Sequence, residues 1–321
     1  MPSGTGLPEH TYTGGFIGGG TEYALGLLPG LFLRNEYRYA SYRSADLAVP
    51  PGVGFPAGLL VHADKDVQTI STGLVYKFGW AGHPGSAPTL GLPLKARAVP
   101  PPSAANWTGC YVDGGGGYGM WNQDGSETSS GALVSATTTG GGRGWFGTAG
   151  GGCDYQFKAF NNWNLVAGPF GDFDLMNSHG VFENESFGAT GEESERSAWA
   201  IGGRLGYVIG PPLLTYVNGG FSQTKFDGVS LATLGAPSGS FASHKYDGWF
   251  VGGGTEYALT WLPGLFWRNE YRFTGYRSAD LPVTTTGFGG TGLVLHSAVD
   301  VQTIGTALVY KFNWTGAGAM R

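Results

Sequence analysis

The sequence predicts an all-β fold, an eight-stranded antiparallel up-and-down transmembrane β-barrel preceded by a partial repeat of its last three strands. Three observations lead to this prediction. Segments of the chain alternate apolar or aromatic residues with small or polar ones, and the connections between these segments alternate between short and long. In addition, the stretch GGGTEYAL occurs twice, at residues 18–25 and again at residues 252–259.

Composition excludes several other classes of protein. Charged residues make up 13% of the chain, about half the usual share in a soluble protein. Aromatic residues reach 14% and the 60 glycines show no three-residue period, which excludes disordered and collagen-like chains. The net charge is only -5 and no run of Lys or Arg occurs, so nucleic acid is not an expected partner. No apolar run approaches the roughly 18 residues of a membrane-spanning helix.

Eight strands are predicted from the period-two pattern and from the Gly and Pro residues that separate its segments. They cover residues 109–123, 143–157, 165–175, 197–209, 213–224, 249–259, 265–276 and 301–312. The connections KAFNN, GPP and TWLPG are short, whereas the intervening ones are long, polar and rich in Gly, Ser and Thr. An even number of such strands, with short turns at one end and long loops at the other, is typical of a transmembrane β-barrel.

The repeat predicts the domain organisation. Residues 16–78 match residues 250–312 without a gap, as in LPGLFLRNEYRYASYRSADL against LPGLFWRNEYRFTGYRSADL, which indicates a duplicated structural unit. We therefore expect a truncated barrel repeat of three strands at 1–80 (the N-terminal copy), a Pro-rich linker at 81–105 and a complete barrel at 106–314. Three strands cannot close a barrel, so the N-terminal copy either stays poorly ordered or competes with residues 249–312 for the same strand partners in a domain-swapped arrangement. We favour an appended, poorly packed three-stranded sheet, because the Pro-rich linker is long enough to separate it from the barrel.

The opening residues MPSGTGLPEHTYTGGF lack the basic and apolar regions of a secretory signal. We interpret this start as lying inside a tandem gene or as misassigned.

The two faces of the predicted strands differ in polarity. In LFWRNEYRF, the aromatic residues Trp267 and Tyr271 share one face with a polar exception, Asn269, while the charged residues share the other. By this parity the inward-facing charges are Asp113, Asp154, Asp172, Asp174, Glu256 and Glu270 together with Arg204, Arg268, Arg272 and Lys311. These side chains form either a charged pore lining or a closed plug. We favour the plug, because eight strands leave an interior only wide enough for side chains and buried opposite charges pair.

Two further sets of residues are assigned to surfaces. The aromatic girdles at the two membrane interfaces are predicted to contain Trp107, Tyr118, Trp121, Trp145, Tyr155, Trp249, Trp267 and Tyr310. The acidic residues of the outer loops are predicted to face water, namely Glu183, Glu185, Glu192, Glu193 and Glu195.

Cysteine and histidine give little sign of bound metal or cofactor. Cys110 and Cys153 are the two cysteines, and they fall on adjacent antiparallel strands with the same outward parity. The pattern fits either a disulfide, which needs opposed positions and an oxidising compartment, or two free thiols. The six histidines show no metal-ligand spacing, so we expect no metal and no cofactor.

Both ends of the predicted barrel are similar to a known family. The stretch NWTGCYVDGGGGYGMWNQD resembles the opening strand of the small, opacity-like outer-membrane β-barrel proteins, and TALVYKF is similar to their final strand. The resemblance implies an outer-membrane location with the lipid bilayer as partner. It also implies that the outer-membrane assembly machinery reads the terminal aromatic residues, here Tyr310 and Phe312.

The function expected from these features is that of a non-enzymatic, structural outer-membrane protein that displays polar loops, whose ligands the sequence does not identify, outside the cell. The family resemblance implies surface-antigen or porin-like roles. A small-solute channel is the alternative and needs an open lumen. A soluble calyx that binds an apolar ligand is a third candidate, which would place apolar residues inside and charges outside, the reverse of the predicted parity.

Overall fold

The chain divides into two compact units, Met1–Arg97 and Ala98–Arg321. The structure is a computed structural model that describes residues 9–24, 30–48, 60–78, 105–135, 137–160, 163–184, 189–210, 212–233, 236–259, 262–285 and 292–312. The predicted linker at 81–105 lies outside these residues except for Ala105, as does the predicted end of the barrel at 313–314. No helix within the described ranges has the length and apolar character to cross a membrane.

The N-terminal unit contains five described strands. They are β1 (Gly14–Ala24), β2 (Leu31–Tyr42), β3 (Ala45–Ala48), β4 (Leu60–Ala63) and β5 (Asp66–Tyr76). Strands β1, β2 and β5 form a three-stranded antiparallel sheet in that order, and β3 pairs with β4 in a separate hairpin. The three longer strands fall at the positions where the repeat predicts them.

The C-terminal unit contains thirteen strands among its described residues. They are β6 (Gly109–Ser129), β7 (Ala132–Leu133), β8 (Thr138–Ala159), β9 (Trp163–Asn184), β10 (Ala189–Gly210), β11 (Leu213–Phe226), β12 (Val229–Thr233), β13 (Ala236–Phe241), β14 (His244–Ala258), β15 (Leu265–Tyr276), β16 (Ala279–Pro282), β17 (Thr284–Thr285) and β18 (Leu293–Phe312).

The long strands of this unit pair in a closed circuit, in the order β6, β8, β9, β10, β11, β14, β15 and β18. All the pairs are antiparallel, and β10 pairs with β11. The first strand, β6, pairs with the last, β18, from Ser129↔Leu293 to Cys110↔Phe312. Closure leaves no strand edge with unpaired backbone groups, which is the condition for a sheet in hydrocarbon. The predicted all-β class and antiparallel barrel are confirmed.

Outward-facing aromatic residues form two belts around the barrel. Trp145, Trp199 and Trp249 are exposed toward the loop end, while Tyr155 and Tyr310 are exposed toward the short turns. Aliphatic residues such as those of β10 lie between the belts and are also exposed, so the segment between the belts is the membrane-spanning part.

The girdle assignment is wrong for two residues. Trp107 and Trp121 are 0% and 1% exposed and point into the barrel. Both share the odd-numbered inward parity of Tyr111 on the first barrel strand, and an aromatic residue at an inward position fills space in the lumen.

The polar exception Asn269 has polar neighbours on the outward face. Its register partners on the two adjacent strands are Thr255 and Thr306. The indole Nε1 of Trp267 donates a hydrogen bond of 2.6 Å to Oγ1 of Thr306. A short row of polar side chains therefore crosses the wall three to five residues from the turn ends of β14 and β15, close to the interface where water can solvate it.

The barrel wall extends beyond the loop-side belt. The predicted strand at 165–175 continues to Asn184, and the predicted strand at 197–209 already begins at Ala189. The predicted polar loops also supply the short strands β12, β13, β16 and β17. A second apolar core lies at this end, and it is formed by Phe182, Ala189, Val229, Leu231, Phe241, Leu281, Val283, Leu293 and Leu295. The loop end is therefore a folded cap.

Candidate functional site in the barrel lumen

The lumen contains the inward-facing charges, and the centre of one cluster is Glu256. Its side chain is 0% exposed, and its carboxylate accepts hydrogen bonds from Nη1 of Arg204 (2.8 Å) and from Nε and Nη2 of Arg268 (both 3.2 Å). The Nζ of Lys311 lies 3.0 Å from its other oxygen. Strand β14 thus places one carboxylate among three cations that come from β10, β15 and β18.

Two aspartates complete this cluster. Asp154 on β8 pairs with Arg204, whose Nε donates at 2.9 Å, and with Lys311 at 2.6 Å. Asp113 on β6 accepts a hydrogen bond of 3.0 Å from Nη1 of Arg268. The cluster therefore holds three carboxylates and three cations, so its formal charges cancel. The structure thus brings six of the charged residues with predicted inward parity into one cluster.

A buried cluster that contains aromatic side chains, here called the aromatic floor, lies in the lumen at the turn end. Trp107 packs against Phe266 with ring centroids 4.8 Å apart, and both belong to a buried cluster with Leu214 and Val309. The ammonium of Lys311 lies 5.1 Å from the Trp107 ring. Contacts of a cation with an aromatic face stabilise the charge after water is removed. The floor therefore packs below the charge cluster and contacts its lysine.

A second charge cluster surrounds Arg272. Its guanidinium donates to both oxygens of Asp172 at 3.0 and 2.7 Å and to Glu270 at 2.8 Å. The hydroxyl of Tyr216 donates to the other oxygen of Glu270 at 2.7 Å. A cavity of about 60 Å³ adjoins this cluster and is also lined by Asp174. This volume accommodates a few water molecules.

Glycines in the barrel wall make room for large side chains that point into the lumen. A Cβ added to Gly117 would lie 2.7 Å from Cε1 of Phe146, and one added to Gly305 would lie 3.3 Å from the same ring. Both glycines face the lumen, so their missing side chains make room for the Phe146 ring beside the cavity. The glycine runs in the sequence are thus packing positions in the barrel wall.

Glu193 and Glu195 lie on β10 on the loop side of Trp199, outside the membrane-spanning segment, and the structure corrects their predicted exposure. Both residues are only 1% exposed, since β10 continues through them and turns their side chains inward. Burial raises the pKa of Glu193 to about 8, although a hydrogen bond from Gln123 opposes the shift. Burial likewise raises the pKa of Glu195 to about 7, against a 2.8 Å hydrogen bond from Thr224.

A polar network connects the buried Glu193 to the cap through Gln123 and Ser297. Nε2 of Gln123 donates to Oγ of Ser297 at 2.8 Å, and the hydroxyl of Tyr246 donates to the same oxygen at 3.0 Å. The rings of Trp121, Phe226 and Tyr246 pack edge to face around it. Sequence reasoning missed this layer, although the inward parity of Gln123 and Trp121 was available as a signal.

The cysteines lie directly opposite each other on the first two barrel strands. Cys110 and Cys153 are register partners of β6 and β8 and form a disulfide. The bond closes a segment of 43 residues that contains the first long connection of the barrel.

The proposed assembly signal lies at the turn end of β18. Tyr310 and Phe312 face outward with 43% and 48% exposure, and their rings pack edge to face with centroids 5.1 Å apart. Both are therefore accessible from the membrane side of the wall.

Within the described ranges, no group of three His, Cys, Asp or Glu side chains is arranged to hold a metal ion. Two histidines instead form the same exposed pair with an aspartate, His62 with Asp46 at 2.6 Å and His296 with Asp280 at 2.7 Å.

Comparison with known proteins identifies the family. Residues 90–312 match the family model of the outer membrane protein beta-barrel domain. No curated protein matches the chain. Similar solved structures include OprG from Pseudomonas aeruginosa, at 12% identity over 65% of this chain and 100% of that chain, with a TM-score of 0.38. Neisserial surface protein A has 14% identity over 64% of this chain and 98% of that chain, with a TM-score of 0.29. The outer membrane protease OmpT from Escherichia coli has 10% identity over 63% of this chain and 97% of that chain, with a TM-score of 0.32.

These identities and TM-scores are too low to carry an argument, so the assignment rests on the family model, which covers more than half of the chain. The chain belongs to the outer membrane protein β-barrel domain family, and its location is the outer membrane.

Proposed function

We propose that the chain is a non-enzymatic outer-membrane barrel with a closed lumen, which holds a folded cap with a polar surface outside the cell. The observation that carries this proposal is the filling of the lumen. A charge cluster of three carboxylates and three cations lies between an aromatic floor and the apolar core of the cap. Such a barrel anchors surface structure and does not conduct solutes.

The two alternatives fit the lumen less well. A channel needs a continuous water-filled path, whereas the buried ion pairs of Arg204, Arg268 and Lys311 occupy the lumen above the aromatic floor. A calyx for an apolar ligand needs an apolar interior, whereas Arg204, Arg268 and Glu256 occupy the middle of this one. Large apolar side chains face outward instead, as expected of a wall in contact with lipid.

The non-enzymatic assignment is supported by the geometry around His179 on the outer part of β9. Its Nδ1 lies 2.9 Å from Oγ of Ser194 and 3.1 Å from a carboxylate oxygen of Glu192. Its Nε2 lies 2.9 Å from Oδ1 of Asn177. In the Ser-His-Asp arrangement, the serine lies on Nε2 of the histidine and the carboxylate on Nδ1. Here both are on the same nitrogen, so we interpret the cluster as structural.

Surface labelling in intact cells tests the orientation of the cap. Ser240 on β13 and Lys158 near the first short turn are both exposed. We expect Ser240→Cys to react with a membrane-impermeant maleimide, and Lys158→Cys, the matched control, to react only after the outer membrane is opened. Labelling of Lys158→Cys alone in intact cells would show that the turn end faces outward, and the proposal would fail.

A further inference from the structure

The sheet of the N-terminal unit reproduces the last three strands of the barrel residue by residue. Gly18 pairs with Arg38 between β1 and β2, as Gly252 pairs with Arg272 between β14 and β15. The register between β2 and β5 equals that between β15 and β18, as Tyr37↔Ile70 and Tyr271↔Ile304 show. The two sheets therefore share sequence, strand direction and register.

The N-terminal sheet also carries the lumen charges of the barrel. Glu22, Arg34 and Arg38 occupy the positions of Glu256, Arg268 and Arg272 in the repeat. Arg34 donates to Glu22 at 2.7 Å, as Arg268 donates to Glu256 at 3.2 Å. The pairing within the three strands is thus retained.

The difference lies in burial. The side chain of Arg38 is 47% exposed, whereas that of Arg272 is 12% exposed. The Glu22 side chain is 24% exposed, against 0% for Glu256. In the barrel, strands β6 and β8 to β11 bury these charges. They also supply the partners, since Asp172 pairs with Arg272 and Arg204 pairs with Glu256. The N-terminal sheet therefore presents one half of a charge-complementary interface.

The two outer edges of the N-terminal sheet correspond to the edges through which β14 and β18 pair with the rest of the barrel. In the barrel, the outer edge of β14 pairs with β11, and the outer edge of β18 pairs with β6. The corresponding edges of β1 and β5 are the two ends of the three-stranded sheet. Such edges and an exposed lumen face are unfavourable in hydrocarbon. Strands β6 and β11 are the complementary edges.

The chain connection permits this pairing. In the barrel, Phe312 at the end of β18 is the register partner of Cys110 at the start of β6. The repeat places Phe78 at the position of Phe312, and the segment 79–108 then leads into β6. Adjacent strands are only about 4.8 Å apart, so this segment is long enough to join them.

We propose that the N-terminal copy is a second closing wall for the barrel, with β1 and β5 pairing with β11 and β6 of the same chain in place of β14 and β18. The result is a circularly permuted barrel made from residues 10–247. Strands β14, β15 and β18, here called the C-terminal copy, then compete with the N-terminal copy for one pair of strand edges. This proposal depends on the barrel fold and is independent of whether the lumen conducts.

Matched proline substitutions in the full chain test the proposal. Proline removes the backbone donor and interrupts a central strand. Arg272→Pro with Thr303→Pro disables facing positions of the C-terminal copy, and Arg38→Pro with Thr69→Pro disables the equivalent positions of the N-terminal copy. We expect each two-substitution chain to refold into a monomeric, heat-modifiable barrel and the chain with all four substitutions to form none. A barrel that forms only as a dimer, when the C-terminal copy is disabled, would contradict pairing within one chain.

Two additional experiments, a truncation and a disulfide trap, cover the case in which the proline substitutions themselves disturb folding. A chain ending at Asp247 should still form the barrel, while residues 106–247 alone should not. In a chain that also has Cys110→Ser and Cys153→Ser, Tyr76→Cys should form a disulfide with Val112→Cys, because Val112 is the register partner of the equivalent Tyr310. If neither the chain with Arg272→Pro and Thr303→Pro nor the chain ending at Asp247 forms a barrel, the proposal is overturned.

Discussion

At the scale of single residues, Glu256 is the position on which the lumen charges depend most. It contacts Arg204, Arg268 and Lys311, and its side chain is completely buried. A buried ion pair adds little net stability, but loss of one partner leaves uncompensated charge in a low-dielectric site. The three cations would then share only Asp113 and Asp154.

Glu256→Gln is therefore expected to lower the free energy of unfolding by about 3–5 kcal/mol, the range found when one member of a buried pair is removed. Urea unfolding of the refolded barrel in detergent, followed by Trp fluorescence, measures the change. Glu192→Gln is the control, since the Glu192 side chain is 72% exposed, and we expect no measurable shift. Equal shifts for the two variants would contradict the buried network.

Glu193 makes stability depend on pH. Its pKa is raised to about 8 in the folded chain by burial, so the folded state favours the protonated carboxyl. The stabilisation is fully present below the ordinary glutamate pKa of about 4 and is lost as pH rises through about 8. We expect Glu193→Gln to flatten the decline in unfolding midpoint between pH 5 and pH 9. The exposed neighbour Glu192→Gln should retain the wild-type slope, and an unchanged slope in Glu193→Gln would refute the assignment.

At the scale of elements, the hairpin of β6 and β8 begins the barrel and is the one that carries the disulfide. Closing 43 residues in the unfolded chain restricts its conformational freedom. Replacing both cysteines, as Cys110→Ser with Cys153→Ser, should destabilise the barrel by about 2–4 kcal/mol without changing its fold. Unfolding with and without reductant measures this, and the double variant should be insensitive to reductant. A wild-type protein whose midpoint is unaffected by reductant would contradict the expected contribution.

The elements could be predicted in part from the sequence. The all-β class and the antiparallel barrel follow from parity and from the alternation of loop lengths, because both are local patterns, whereas the short strands β7, β12, β13, β16 and β17 do not. The outer ends of β9 and β10 could not be found in this way, since polar residues occupy the wall beyond the membrane and resemble loops. The residue type of Trp107 and Trp121 does not decide their position, because aromatic residues suit both an interfacial girdle and the lumen.

At the scale of the whole molecule, the pairing of β6 with β18 closes the C-terminal unit into a barrel. The cap was beyond sequence prediction, because its apolar residues come from distant segments, among them Phe182, Leu231, Leu281 and Leu295. Each segment contains too few apolar residues to signal a core. The partners within the charge clusters were equally hidden, since tilt and register between distant strands decide which carboxylate meets which cation.

The central claim is that this family member closes its lumen, and the conductance of the full chain in a planar lipid bilayer tests it most directly. Heat-modifiable migration of the same preparation would establish beforehand that the barrel is folded. The structure predicts no unitary current steps above those of the bare bilayer, because the charge clusters and the aromatic floor fill the path. Discrete, reproducible steps whose frequency rises with the amount of inserted protein would contradict it.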